Sequence, residues 1–468
     1  MTYKDLNGMF SAETYQNRRK ILKKNVSSGV ILLLGNIENP INFEHNTYPF
    51  RQDSSFLYYV GVREPRLAAV FDIEENLNIV FGDELRLEDL VWKGRQETLR
   101  EKCSKSGIIE VRPFHLLVDY IQLVLKKNRK VHYLPPYQSH NKILLSQLLD
   151  IPIAEIRSSV DLIETVAAQR SVKEAQEIEE IERAIQVSVD MHLLVMQMTK
   201  PGMKEYELVN AIQKFAADQC CPLAYPPIVT IHGEILHNQY RQHTIKSGDM
   251  ILNDSGAETA LGYAADLTRT FPVDRSFTVQ QKEIYNIVLK AFTSARNMLQ
   301  PGTRFKDVHL YAAKTLVEGL IELGIMRGDP EEAVQNHVHT LFFQCGLGHL
   351  MGLDVHDMED LGEQYVGYTA DEPKDTATFG LKSLRLGKAL CPGYVVTIEP
   401  GIYIIPDLID QWKAEKRHES FINYATLERY RNFGGIRIED DFLITTDSYR
   451  LLGPELANTV EEIEGMRS

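Results

Sequence analysis

ILNDSGAETALGYAADLTRTFPVD, residues 251–274, is the stretch whose reading decides this chain. Two runs of β-forming residues flank a glycine turn at Gly262, and each carries a carboxylate: Asp254 closes MILND, and Asp266 follows Ala264-Ala265. A buried strand that ends on a charge must satisfy it, and a metal ion does so where no cation is close. Two plainer readings stand beside this one, Asp254 as a turn former before Ser255-Gly256 and Asp266 as the ion-pair partner of Arg269. Three further strings carry candidates of the same kind. CGLGHLMGLDVHD (345–357) holds His349 and His356, VVTIEPGIYI (395–404) holds Glu399, and GIRIEDDFLIT (435–445) holds Arg437 and Glu439. The glycines at 346 and 348 would let backbone and metal approach closely. Glu399 sits among apolar neighbours, where a glutamate is almost never left alone. Glu439 has an equally simple partner in Arg437, two residues away on the same strand face. Taken together, Asp254, Asp266, His349, Glu399 and Glu439 are four carboxylates and one imidazole, the donor set that two divalent cations sharing bridging oxygens require. A hydrolase with a two-metal centre is the expectation.

Bulk composition allows this and excludes several other classes. A chain of 468 residues exceeds the size at which one hydrophobic core stops growing, so two domains are expected. Net charge is −14, with Lys and Arg at 51 against Asp and Glu at 65, and no polybasic block supplies a footprint for nucleic acid. The five cysteines have no CxxC spacing, which points to reduced thiols in a cytoplasmic compartment and away from a disulfide framework. Neither an apolar export segment at the N-terminus nor a membrane-length apolar run is present. No G-x-S-x-G elbow and no phosphate-cradling glycine loop occurs, so a covalent serine nucleophile and a nucleotide site are disfavoured.

Short apolar runs at 29–35, 67–73, 78–83 and 130–136 read as buried strands. They alternate with helical patterns at 10–25 and 113–127, which predicts an α/β domain over residues 1–160 with a mostly parallel sheet. The aromatic run 48–60 reads as a strand in its own core or as a surface offered to a neighbouring copy. Beyond a boundary near Arg157–Asp161, Ser171-Val172-Lys173-Glu174 reads as a capping box opening a helix that runs to about Met198. The domain 161–468 then shows a faint internal echo, with Pro201-Gly202 and Pro301-Gly302 each preceding an amphipathic helix and ligand-bearing β-rich sequence. Two facing halves would bring Asp254 and Asp266 near His349, Glu399 and Glu439. The polar stretches 360–387 and 406–432 read as surface excursions.

With these residues stated, the chain resembles the Xaa-Pro aminopeptidases (aminopeptidase P) of the pita-bread metallopeptidase family, over almost its whole length. The resemblance rests on the four strings above and on YPFRQDSSFLYYVGVREP (48–65) in the N-terminal half. It implies an N-terminal α/β domain of the creatinase/aminopeptidase P type followed by a pita-bread α+β catalytic domain. It further implies that Asp254, Asp266, His349, Glu399 and Glu439 hold two divalent metals, with Asp266 and Glu439 bridging. Manganese is the first choice, cobalt or zinc the others. A hydroxide between the metals would attack the bond between an N-terminal residue and a following proline. Glu399 would assist it, while His237, His356 and Arg437 contact substrate or stabilise the tetrahedral intermediate. Peptides with proline second are then the partners, and a homodimer or homotetramer is the expected assembly. Prolidase, which takes only dipeptides and needs a cation for the free carboxylate, is the alternative; a non-catalytic pita-bread binding protein is the more distant one. Two departures from the family pattern stand out. Cys345 occupies a position where the family often has histidine. The spacing from Asp254 to Asp266 is twelve (266 − 254), a residue longer than the pattern.

Overall fold

A computed structural model describes residues 8–85 and 87–467. Residues 1–7, part of the stretch read for an export segment, lie outside the described residues. Among the described residues no helix is long and apolar enough to cross a membrane. The chain divides into two compact units. The first runs to Arg170 and includes Met358–Val366; the second comprises Ser171–Asp357 and the chain from Gly367 onward.

The first unit is built on a five-stranded sheet in the order Glu110–Arg112, Leu77–Phe81, Ala68–Asp72, Val30–Leu34, Val131–Tyr133. Its core is the apolar set Leu32, Val70, Ile79, Phe81, Leu117 and Ile121. The four strands read from the sequence are present, but the sheet is mixed and not mostly parallel. Val30–Leu34 and Leu77–Phe81 both pair antiparallel with Ala68–Asp72, while the two outer pairings are parallel. The short Ile73–Asn76 connection is a tight hairpin, far too short for the crossover that parallel neighbours need. The aromatic run contains a helix, Ser54–Val60, and not a strand. Asp53 caps it by accepting from Phe56 N at 2.8 Å, Gly61 closes it in the left-handed region, and every residue between is buried.

In the second unit the helix Ala175–Met198 runs to the expected end, but its start is not the expected box. Ser171 instead closes the helix Val160–Ser171, and Glu174 N donates to Glu177 Oε2 at the next helix start. Lys173 N is bonded to Gly393 O, which pins the intervening chain outside either helix.

The Pro-Gly echo is a structural repeat. Gly202 N bonds Ile245 O and Glu205 N bonds His243 O ahead of the helix Glu205–Asp218; Gly302 N bonds Leu390 O and Phe305 N bonds Lys388 O ahead of the helix Phe305–Glu322. Both glycines have positive φ, 93° and 86°, which a glycine adopts at no steric cost. Each repeat then delivers a three-stranded sheet: Thr268–Pro272, Met250–Asp254, Ile228–Thr230 in one, and Val395–Ile398, Asp440–Ile444, Tyr449–Leu451 in the other. The excursion 406–432 is more than surface. Its helix Pro406–Ala414 buries Ile409 and Trp412, and Asn423 N bonds Ile325 O.

His309 and His339 are buried in this unit, 1% and 2% exposed, and among the described residues neither ring nitrogen of either has a hydrogen-bond partner. Burial holds them neutral, pushed down to about 4 and about 3. Unfolding therefore takes up protons once the pH falls below the ordinary histidine value, and stability drops as pH falls from about 6.5 toward 4. Each histidine should contribute up to ~1.4 kcal/mol per pH unit in that window. Urea titrations across it should show a shallower loss for His309→Leu/His339→Phe than for the native chain; equal slopes would contradict the assignment.

Candidate metal centre

The site is assembled where the two repeats meet. Asp254 ends the strand Met250–Asp254 and lies in register with Thr268 across the antiparallel pair, so the hairpin returns Asp266 to the same end of the sheet. Gly256 allows this, because a Cβ there would come within 1.8 Å of Ala265 O. Glu439 N bonds Thr268 O at 3.0 Å, stitching the first repeat to the second beside Asp266. The segment with His349 pairs with the strand leading to Glu399: Thr397 N bonds His349 O and Glu399 N bonds Leu347 O. Gly348 is needed at this pairing, its Cβ position lying 2.1 Å from Thr397 O. The close approach read from the glycines is thus backbone on backbone.

All eight residues singled out in the sequence line one cavity of about 410 Å³, together with Tyr225, Arg385 and Cys345. Asp266, His349 and Glu439 are buried with ligand atoms within 4.8 Å of one another. His349 Nε2 lies 3.3 Å from Asp266 Oδ2 and 3.6 Å from Glu399 Oε1. Asp254 joins them through Tyr225, whose hydroxyl is 2.7 Å from Asp254 Oδ1 and 2.5 Å from Asp266 Oδ1. The two arginines of the plainer readings bond other acids than the ones next to them in sequence. Arg269 binds Asp440 at 2.8 Å, and Arg437 binds Asp254, Tyr403 and Thr268. Glu439 accepts from Thr268 Oγ1 at 2.6 Å. His356 stacks edge-on against His349 with ring centroids 4.4 Å apart, and the buried Lys173–Asp357 pair, 3.0 Å long, anchors the turn that presents it. His237 lies exposed on the cavity wall.

The electrostatics expose what this cluster lacks. Burial raises the carboxyl pKa of Asp254, Asp266, Glu399 and Glu439, and repulsion from neighbouring acids adds to it at Asp254, Glu399 and Glu439. For Glu399 the value is pushed up to about 8 by burial, with Arg437 and Arg385 pulling the other way. Asp441 behind them is raised as well, by burial and by Asp266. Two arginines do not balance so much buried acid, and cations would. The donor chemistry fits divalent ions. His349 Nδ1 faces Leu350 O at 3.1 Å; a proton held there leaves the Nε2 lone pair directed at the acids, the arrangement usual for a metal-binding imidazole. Burial and Glu399 push the Cys345 thiol pKa up, which disfavours the nucleophilic thiolate.

Tyr225, Arg385, Tyr403 and Thr268 were not anticipated from the sequence. Tyr225 lies in the loop string PLAYPPIV, which has no periodicity or charge to mark it, and Arg385 emerges from a stretch read as a surface excursion.

The chain is similar to known proteins along its length. Residues 179–446 match the model of metallopeptidase family M24, and residues 15–133 match the aminopeptidase P N-terminal domain. The human Xaa-Pro dipeptidase is 32% identical over 96% of this chain and 92% of its own. The Xaa-Pro aminopeptidase of Escherichia coli K12 is 30% identical over 97% and 98%. The zinc-substituted aminopeptidase P of E. coli, solved in complex with product, matches with a TM-score of 0.80 at 28% identity, covering 98% of this chain and 99% of that one.

Adding Mn²⁺ to chelator-treated protein should raise Tm in a saturable way, because the cations relieve the carboxylate repulsion. Asp266→Asn/Glu439→Gln should already be less dependent on metal and show little further rise; a rise equal to that of the native chain would show that the cations bind elsewhere.

Proposed function

The chain belongs to metallopeptidase family M24 and is a Xaa-Pro peptidase with a dinuclear metal site, and on that footing we propose that it is an aminopeptidase that releases the N-terminal residue preceding proline, with manganese as its metal. The observation that carries the reading is the composition of one cavity wall. The acid cluster shares it with the apolar side chains of Pro226, Ile228, Leu236 and Val355 and with the polar groups of His237, His356 and Arg437. Asp254, Asp266, His349, Glu399 and Glu439 would hold the two cations, which when bound supply Lewis acidity toward a water and the scissile carbonyl.

The rest of the work falls to side chains of this chain. An acylated proline nitrogen has no hydrogen to donate, so its ring is recognised by shape, and the four apolar residues give it a dry surface. His237 and His356, which line the same cavity, would hydrogen-bond the carbonyls on either side of the ring. Arg437 lends positive charge where the scissile carbonyl oxygen becomes negative. Proline leaves as a secondary amine and must gain a proton. Glu399 takes one from the attacking water at a carboxylate oxygen and returns it to that nitrogen. Reduced, unpaired cysteines support a cytoplasmic setting, and the resemblance to aminopeptidase P supports a homodimer or homotetramer.

A specific observation favours a second reading. Arg385 adds a cation to the same cavity, close enough to Glu399 and Asp266 to lower their pKa values, and a dipeptidase needs such a group for the free carboxylate of its substrate. Rates on a Xaa-Pro dipeptide and a Xaa-Pro-Yaa tripeptide separate the two. We expect tripeptide turnover that survives Arg385→Met within a few-fold. Exclusive dipeptide cleavage, with KM rising at least tenfold in Arg385→Met, would replace the aminopeptidase reading with the dipeptidase one. Glu399→Gln should keep the native circular dichroism and lower kcat by roughly 10²–10⁴; near-normal turnover would remove Glu399 from the proton path.

A further inference from the structure

A second cavity of about 430 Å³ is lined wholly by residues of the N-terminal unit. Arg19, Lys20, Lys23 and Lys24, all from the helix Ala12–Val26, line it, with Asn76 and Asn78 among its other residues. No carboxylate is among them, in a chain whose net charge is −14.

Arg19 is the informative residue. Its side chain is 1% exposed, Nη1 donates to Tyr59 O and Nη2 to Ser106 O, both at 2.7 Å, and Nε has no partner among the described residues. Among the described residues no acid pairs with it, and burial lowers its pKa to about 10. Carbonyl oxygens satisfy donors but leave a formal charge uncompensated, and a buried charge without a counter-ion is costly. The neighbouring acids do not fill the gap: Asp72 and Glu74 are both held by Arg129. Lys23, partly buried, donates to the amide oxygen of Asn76 at 2.9 Å and feels Asp72 without pairing with it among the described residues. The balance the cavity lacks is negative: its charged groups are all cationic N–H donors, and Asn78 Oδ1, buried without a partner among the described residues, adds one acceptor, a set that suits a compact anion carrying acceptors and an O–H.

We propose that this cavity is an accessory oxyanion site that binds a phosphate-class anion, either free phosphate or the phosphoryl group of a small metabolite. Arg19 contributes the buried positive charge of the lining, while the three lysines draw the anion in and hold it as point charges. The site is too small and too isolated for a nucleic-acid track, which would need a basic stripe.

The test uses the full-length, metal-loaded protein and isothermal titration with inorganic phosphate, pyrophosphate and AMP at constant ionic strength. Native protein should bind saturably, and Lys20→Ala/Lys24→Ala should weaken binding at least tenfold while leaving Xaa-Pro hydrolysis unchanged. Stronger binding of free phosphate would name the ion itself as ligand; stronger binding of pyrophosphate or AMP would name a phosphoryl-bearing molecule. Arg19→Gln should abolish binding where it folds, and the lysine variant decides the matter where it does not. The proposal is overturned if none of the three anions binds saturably, or if the lysine variant binds as tightly as native protein, which would locate the anion at the metal centre.

Discussion

Repulsion among buried carboxylates is the constraint on which the second unit depends. Asp254, Asp266 and Glu439 lie nearly out of contact with solvent, Glu399 is only partly exposed, and Asp441 sits behind them. Burial and proximity both disfavour the charged forms. An arrangement of this kind persists only if the backbone holds it and positive charge enters it. Arg437 supplies part of that charge and is itself fixed by Tyr403 and Thr268, so it acts as a strut for Asp254 as well as a counter-ion. The remaining deficit is what a pair of divalent cations would fill.

The backbone holds the cluster through a repeated device. In each half a Pro-Gly turn, a single bridging residue and a helix precede a three-stranded sheet, and the sheets meet through the Thr268–Glu439 pairing. Because that pairing joins strands and not flexible side chains, the distance between ligands from the two halves is set by β-sheet geometry. Gly256 and Gly348 are needed for the same reason: each lies where another strand's carbonyl leaves no space for a Cβ. Function therefore depends on residues that carry no chemistry. The apolar side chains of Pro226, Ile228, Leu236 and Val355 line the same cavity, which puts an apolar surface beside the acid cluster.

The N-terminal unit illustrates how an uncompensated charge can be read in the opposite sense. Around Arg19 the surplus is positive, and the partners available within the fold are neutral oxygens. The same physical rule, that buried charge requires its complement, points to cations in one unit and to an anion in the other.

Much was legible in the sequence. The five donor residues stood out because an acid or imidazole in an apolar β-rich run is buried and must find a cation or a proton there. The strands at 29–35, 67–73, 78–83 and 130–136 were marked by unbroken Val, Ile and Leu. Those are local properties, carried by composition and period within a dozen residues. Two features had local signals that apolar period alone passes over: the short Ile73–Asn76 turn makes Ala68–Asp72 and Leu77–Phe81 antiparallel, and Asp53 and Gly61 cap the aromatic run as a helix. The rest of what escaped was decided at a distance. Whether Arg269 or Arg437 would neutralise the acids could not be read from adjacency, since each turned to a partner far along the chain or to the other repeat. Tyr225 and Arg385 entered the site from loops with no periodic signal. The sequence by itself determined which acids and which imidazole stand in apolar β-rich runs as candidate metal donors, and it marked four strands of the first unit. Only the tertiary structure decided which charges face one another, because that depends on the pairing of strands remote in sequence, and a residue's immediate neighbours carry no record of it.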